Sequence, residues 1–163
     1  MQITKDYFKS EVKKAFEHIL RVMLHQKDID ECIEVENGDI QEEEREVAIL
    51  IQFIGGIEGK IILSCSIKTG LSIAMKLSTY NTKSELNEQE KRDLIKNSLG
   101  EIMNILAGKI AYSLQREYGT SRLTTPAMIS GKLLLITIYD ENSLRCCIRT
   151  PFGPIEIILS TVK

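Results

Sequence analysis

The first part of the chain has a helical period of hydrophobic positions. Between residues 5 and 25, apolar side chains recur in steps of three and four, a spacing that brings them onto one face of a helix. The apolar members are Phe8, Val12, Phe16, Ile19 and Met23. The pattern therefore predicts an amphipathic α-helix.

Apolar and β-branched runs further along the chain indicate strands. Residues 47–54 and 60–66 flank the glycine-rich segment 55–59, an arrangement that is typical of a β-hairpin. Residues 133–139, 145–150 and 155–161 have the same character, and turn-forming residues separate them. One short strand is also predicted around residues 32–35.

Two more helices complete the predicted layout. A short one covers residues 69–77. The longest begins at Asn87, which has the capping-box spacing to Glu90, and nothing stops it before Gly119. Helices that alternate with antiparallel hairpins predict an α+β fold, with the helices packed on one face of an antiparallel sheet. Because 43% of the 163 residues are hydrophobic, we expect one domain over residues 1–163.

Charge and composition exclude several classes of protein. The 21 Lys and Arg are balanced by 23 Asp and Glu, so nucleic acid is not expected as a partner. The longest apolar stretches, such as residues 47–51, are far shorter than the roughly 18 residues of a membrane span. The first residues contain neither a continuous apolar segment nor a small-residue cleavage site, so an export signal is not expected. The sequence predicts a soluble, cytoplasmic protein.

Residues 28–46 form the most acidic segment of the chain. Eight Asp and Glu lie between Asp30 and Glu44. A charge run of this kind usually forms a solvated loop. A docking site for a basic partner is the alternative interpretation.

Side chains for independent catalysis or metal binding are scarce. The four cysteines lack CxxC spacing, which predicts reduced and mostly buried thiols. The two histidines, His18 and His25, are seven positions apart and far from any cysteine pair, so no metal site is predicted. The chain also has no GxSxG or HExxH motif.

The long helix has one apolar face and an unusual opposite face. Seven apolar side chains fall on one arc of the helical wheel, which must be buried: Ile95, Leu99, Ile102, Met103, Leu106, Ile110 and Leu114. The opposite arc holds Asp93, Asn97, Glu101, Asn104, Gly108, Ala111 and Gln115.

The composition of this outer face favours a role beyond helix stability. A solvated helix face normally consists of Lys, Glu, Arg and Gln, whereas each glycine in a helix interior costs about 1 kcal/mol relative to alanine. Glu101 and Asn104, at i and i+3, project together from a flat strip that is suited to another protein's surface. The alternative is that Gly100 and Gly108 admit a neighbouring helix and that the amide side chains are incidental.

Two segments here resemble those of a known family. Residues 100–111, GEIMNILAGKIA, are followed by residues 125–131, TPAMISG. Together they resemble the CheX branch of the CheC, CheX and FliY chemotaxis phosphatases, and the likeness, which includes the hairpin at residues 54–59, extends over nearly the whole chain. The resemblance implies a CheC/CheX-like fold. It also implies a hydrolase that removes the phosphoryl group from the aspartate of a CheY-type response regulator.

The resemblance implies that Glu101 and Asn104 are the catalytic pair. Asn104 is expected to hold the attacking water in line with phosphorus, as a glutamine does in GTPases. Glu101 is expected to pair with the regulator's lysine. No cofactor of the chain's own is expected, because the regulator carries the Mg²⁺.

Four neighbouring residues are expected to support the site or contact the partner: Asn97, Ser98, Gly108 and Ala111. Asn97 stands where the wider family often has Asp or Ser. The first helix has no second ExxN motif, so a single site is expected.

The resembled branch forms dimers through its sheets, and a homodimer is therefore expected. The alternative function is a non-catalytic module that binds a response regulator or a flagellar switch component through the same face. Small-ligand binding, a third possibility, has no supporting polar cluster in the sequence.

Overall fold

The computed structural model describes residues 3–25, 34–37, 40–78, 85–131 and 143–162. The helices are α1 (Lys5–Val22), α2 (Ile67–Leu77) and α3 (Glu88–Tyr118), with a 3₁₀ turn at Glu42–Glu44. The strands are β1 (Glu34–Asn37), β2 (Val47–Gly55), β3 (Glu58–Cys65), β4 (Ser121–Leu123), β5 (Ala127–Ser130), β6 (Leu144–Thr150) and β7 (Gly153–Val162).

The described strands form one antiparallel sheet in the order β1-β6-β7-β3-β2-β4. β5 also pairs with β2, so β4 and β5 share one edge of that strand: β4 lies opposite Phe53, and β5 lies opposite Val47. The α+β architecture and the hairpin of β2 and β3 are confirmed.

The observed strands differ in part from the predicted ones. The strand predicted at residues 32–35 is found as β1, which is displaced towards the C-terminus; residues 32 and 33 lie outside the described residues. The strand predicted at residues 133–139 also lies outside them. β4 and β5 were not predicted, because they are short and lack a clear alternation of apolar and polar residues.

The main hydrophobic core lies between the helices and one face of the sheet. Alternate side chains of each central strand point into it, for example Ile49 and Ile51 in β2 and Ile61 and Leu63 in β3. The predicted apolar faces of α1 and α3 meet these side chains. The prediction that the helices pack on one face of the sheet is therefore confirmed.

The opposite face of the sheet is also buried at its centre. Ala48, Ile62 and Ile158 form a small second cluster there. Beside them, the fully buried Glu156 accepts hydrogen bonds of 2.8 Å and 2.9 Å from the Arg45 guanidinium. Burial of both faces explains why these strands have continuous apolar runs instead of alternating polar residues.

The ends of α3 are fixed by local interactions that the sequence predicts. The Asn87 side chain accepts a hydrogen bond of 2.9 Å from the Glu90 backbone N–H, and the Glu90 carboxylate accepts one of 2.8 Å from the Asn87 N–H. Gly119 ends the helix with φ +82°, a conformation that favours glycine. No helix in the described part of the chain is long and apolar enough to cross a membrane.

Candidate active site

Glu101 and Asn104 lie on the exposed face of α3, one turn apart. Both side chains are exposed, while the residues between them, Ile102 and Met103, are buried in the main core. The helix therefore directs one carboxylate and one carboxamide to the same side, where both can reach a partner.

The backbone beneath this pair is held by the core. α3 packs against α1, α2 and β2, and its buried face includes Leu99 and Leu106 on either side of the pair. Close packing of this kind leaves little freedom for the helix backbone. The pair is thus carried by a rigid element, which preorganises its geometry.

A proline from the loop after β4 covers α3 beside Glu101. A Cβ built on the buried Gly100 would lie 3.5 Å from Cβ of Pro126. The loop is tied to β2, because the Thr124 N–H donates to the Gln52 carbonyl at 3.1 Å and the Thr124 hydroxyl accepts from the Gln52 N–H at 3.0 Å. The neighbour of Gly100 is therefore a proline, not the helix that the alternative interpretation required.

Gly108, one turn after Asn104, has open space beside it. A Cβ built there would meet no heavy atom of the described residues within 4 Å. No described neighbour explains this glycine, so the alternative in which it admits a helix of the same chain is not supported.

An open groove of about 560 Å³ runs between α1 and α3 and begins at Asn104. Its walls include Glu11 and Ala15 of α1 and Gly108 and Tyr112 of α3. We call it the α1–α3 groove. Tyr112 is 81% exposed, more than any other large apolar side chain among the described residues.

The charges in the α1–α3 groove are partly paired. Lys14 Nζ lies 2.8 Å from Glu11 Oε1, and this hydrogen bond is the main reason that the pKa of Lys14 is raised above its ordinary value. Lys14 is therefore protonated at neutral pH. Lys109 adds a second, exposed ammonium to the groove.

The predicted support residues occupy different environments. Asn97 is exposed one turn before Glu101, and Gly108 and Ala111 are half-buried along the same side of the helix. Ser98 is buried, with 8% exposure. Little of Ser98 is therefore accessible to a partner.

Two features of this surface were not predicted from the sequence. Tyr112 lies just outside the arc of the helical wheel that defined the outer face, although an aromatic residue there was a visible signal. Glu11 and Lys14 come from α1, and no local pattern places that helix beside Asn104. Among the described residues, no group of three or more His, Cys, Asp or Glu side chains could hold a metal ion.

Comparison with known proteins identifies the family. The family model of the chemotaxis phosphatase CheX matches residues 47–152. The chain belongs to the CheX family. The match includes α3 with Glu101 and Asn104, the loop that carries Pro126, and the hairpin of β2 and β3.

Similar proteins agree with this membership. The CheY-P phosphatase CheX of Thermotoga maritima is 31% identical over 90 residues, which is 55% of this chain and 55% of that protein. The chain thus aligns with about half the length of this curated relative.

Solved structures share the fold. CheX of Borrelia burgdorferi, in a complex with CheY, BeF₃ and Mg²⁺, has a TM-score of 0.76 and 24% identity, and covers 99% of this chain and 100% of its own. CheX of Vibrio vulnificus has a TM-score of 0.69 and 17% identity, with 99% and 100% covered. The CheX-like fold that the sequence predicted is confirmed.

Proposed function

We propose that this protein hydrolyses the aspartyl phosphate of a CheY-type response regulator. The observation that carries the proposal is the exposed pair Glu101 and Asn104, one turn apart on α3 of a CheX-family chain. The Thermotoga relative is named a CheY-P phosphatase, and the Borrelia relative was solved with CheY, BeF₃ and Mg²⁺. Both names support a phosphorylated receiver domain as the partner.

The reaction needs little from this chain beyond the positioning of a water molecule. The water oxygen attacks phosphorus, the bond between phosphorus and the aspartyl oxygen breaks, and the aspartate leaves as a carboxylate with inorganic phosphate as the second product. Asn104 accepts a hydrogen bond from the water through its carbonyl and donates through its NH₂ group. Holding the water in line with the leaving oxygen lowers the entropic part of the barrier.

Glu101 fixes how the two proteins meet. Its carboxylate pairs with the receiver's lysine in a charge-assisted contact, which sets the angle at which Asn104 enters the receiver's site. The receiver carries the Mg²⁺ that neutralises charge on the phosphoryl oxygens. In this scheme Asn97, Gly108 and Ala111 border the contact, and Ser98 supports the helix from within.

The test is phosphate release from purified phosphorylated receivers in the presence of Mg²⁺. We expect Asn104→Ala and Glu101→Ala to lower kcat at least about 100-fold, the size of effect typical for a lost positioning or charge-stabilising group. Gln89→Ala is the matched control, because it removes an exposed carboxamide from the same helix about four turns before Asn104.

A measurement of receiver binding distinguishes the proposed phosphatase from the non-catalytic binding module. Asn104→Ala should still bind the receiver loaded with beryllofluoride, a stable mimic of the phosphoryl group. Full turnover by both site variants would contradict the mechanism. If the wild type binds the receiver but releases no phosphate, the proposed phosphatase activity is contradicted and the non-catalytic module is favoured.

We further propose that residues 1–163 act as one cytoplasmic domain and as a homodimer. A single core that combines all three described helices with the sheet supports one domain. Among the described strands, β1 pairs only with β6, and such an edge needs cover. Light scattering after size-exclusion chromatography tests the dimer, and a monomer at micromolar concentration would contradict it.

A further inference from the structure

The α1–α3 groove contains two features that the fold does not need. Tyr112 is 81% exposed, and no described residue covers its ring. A Cβ built on Gly108 would meet no heavy atom of the described residues within 4 Å, although alanine is the better helix former there. Neither feature increases the stability of the isolated chain. We therefore look for their role in the binding of another molecule.

The position of the groove relative to Asn104 limits what can occupy it. Along α3, Gly108 and Tyr112 are displaced from Asn104 by about 6 Å and about 12 Å, at a rise of roughly 1.5 Å per residue. A specific protein interface buries about 800 Å² on each partner, which is a patch of roughly 16 Å radius. A receiver centred on Asn104 therefore covers both residues.

The charge of the groove agrees with such a partner. Glu11 and Lys14 neutralise each other at 2.8 Å, which leaves the exposed Lys109 as the excess positive charge. The phosphoryl group and the carboxylates of a receiver bring negative charge to this contact, which the receiver's Mg²⁺ and lysine neutralise in part. Opposite charges at the rim of an interface favour encounter in the correct orientation.

We propose that the α1–α3 groove receives the surface of the receiver beside its phosphorylation site, with Tyr112 as the anchor that determines affinity. This inference rests on the proposed function, since it takes the phosphorylated receiver as the partner. Tyrosine suits the role, because it adds a large contact area with few rotatable bonds and is enriched among residues that dominate binding energy. Gly108 keeps the floor of the groove open so that the partner's backbone can approach.

Steady-state kinetics distinguish docking from chemistry. We expect Tyr112→Ala to raise KM at least about 10-fold while kcat stays within about twofold, because the anchor contributes to binding and not to the attack of water. Tyr112→Phe should keep most of the affinity. Gly108→Leu should raise KM as well, since its side chain fills the groove. Ile67→Ala is the control, because it trims a 45% exposed apolar side chain on α2 and should change neither constant.

Binding of the receiver loaded with beryllofluoride and Mg²⁺ gives an independent measurement. The dissociation constant should rise for Tyr112→Ala and Gly108→Leu in parallel with KM, and circular dichroism should show that both variants remain folded. Unchanged KM and dissociation constants in both variants would overturn the docking proposal, even if Asn104→Ala abolishes turnover as the proposed function requires.

Two other outcomes are also decisive. If the wild type binds the receiver without turnover and Tyr112→Ala loses that binding, the proposed function fails and the docking surface stands. If Tyr112→Ala instead abolishes dimer formation and leaves receiver binding intact, the groove is occupied by a second copy of this chain and the docking proposal is overturned.

Discussion

The proposed reaction requires specific hydrogen-bond donors and acceptors on individual side chains. The carboxamide of Asn104 offers an acceptor and a donor in one plane, so it can hold a water and also meet the phosphoryl group. An aspartate at the same position would offer acceptors only, with a negative charge beside an anionic substrate. The identity of the group therefore matters, and not only its polarity.

Two substitutions of Asn104 distinguish the effect of side-chain charge from the effect of the position of the amide group. Asn104→Asp should lower kcat at least about 100-fold, because it loses the donor and repels the phosphoryl group. Asn104→Gln keeps the amide but displaces it by one methylene, and a misplacement of about 1 Å can cost roughly 100-fold. Single-turnover phosphate release measures both. Wild-type rates for Asn104→Asp would show that the amide donor is not used.

A second pair of residues, Arg45 and Glu156, is important for the stability of the sheet face that points away from the main core. Glu156 is fully buried and bonds the Arg45 guanidinium at 2.8 Å and 2.9 Å, with Arg145 Nη1 3.9 Å away. The loss of one partner from a buried pair leaves an uncompensated charge, which typically costs 3–5 kcal/mol. Replacement of both partners by apolar residues is often neutral.

We therefore expect Arg45→Met to lower the free energy of unfolding by about 3 kcal/mol. The double variant Arg45→Met with Glu156→Met should recover most of that loss. Urea denaturation measures both. Lys91→Met is the control, because its partner Glu88 is 83% exposed and surface pairs contribute about 0–1 kcal/mol. A double variant no more stable than the single one would contradict this interpretation.

At the level of elements, α3 combines a structural face with a binding face. Its buried side supplies much of the core, and its capping box and terminal glycine fix both ends. Its outer side keeps glycine where a better helix former fits. The helix is therefore stabilised by its caps and its packing, which allows the exposed residues to serve another purpose.

Gly108→Ala tests this division within the helix. We expect the free energy of unfolding to rise by about 1 kcal/mol, because alanine is the better helix former and its Cβ meets no described atom within 4 Å. Gly56→Ala should instead lower the free energy of unfolding, because a Cβ there would collide with the Tyr118 carbonyl oxygen. Thermal denaturation compares the two. If Gly108→Ala lowers the stability of the protein, glycine is required at this position by the fold itself and not by a partner.

At the level of the whole molecule, the compact core controls the chemistry of its thiols. Burial is the largest cause that raises the pKa of Cys65 and of Cys146, each to about 12. An unfolded thiol ionises near pH 9, which is well below these values. The folded state therefore favours the protonated thiol, as the sequence predicts for buried and reduced cysteines.

This burial makes stability depend on alkaline pH. Because the folded pKa is raised, the contribution of each thiol is fully present below pH 9 and is lost as the pH rises towards 12. The free energy of unfolding should thus fall above about pH 9. Urea denaturation from pH 7 to pH 10.5 measures the slope. The variant Cys65→Ala with Cys146→Ala should have a shallower slope, and an equal slope would show that these thiols are not responsible.

The local pattern of the sequence determined the elements that depend on neighbours along the chain. The period of three and four residues predicts α1, and Asn87, Glu90 and Gly119 predict the ends of α3, because capping and amphipathicity act within a few residues. The same helical geometry puts Glu101 and Asn104 on one exposed face. Together with the family resemblance of the surrounding segment, this geometry allows the catalytic pair to be proposed without knowledge of the fold.

Which distant surfaces meet depends on the long-range packing of the chain. The edge strands β4 and β5 depend on pairing with β2, Gly100 faces Pro126, and the α1–α3 groove exists because α1 packs beside α3. These contacts join residues far apart in the chain, and their energies come from burial and pairing that no local window contains. The sequence alone thus indicates which residues could act, whereas the packing of the helices on the sheet creates the surface around them.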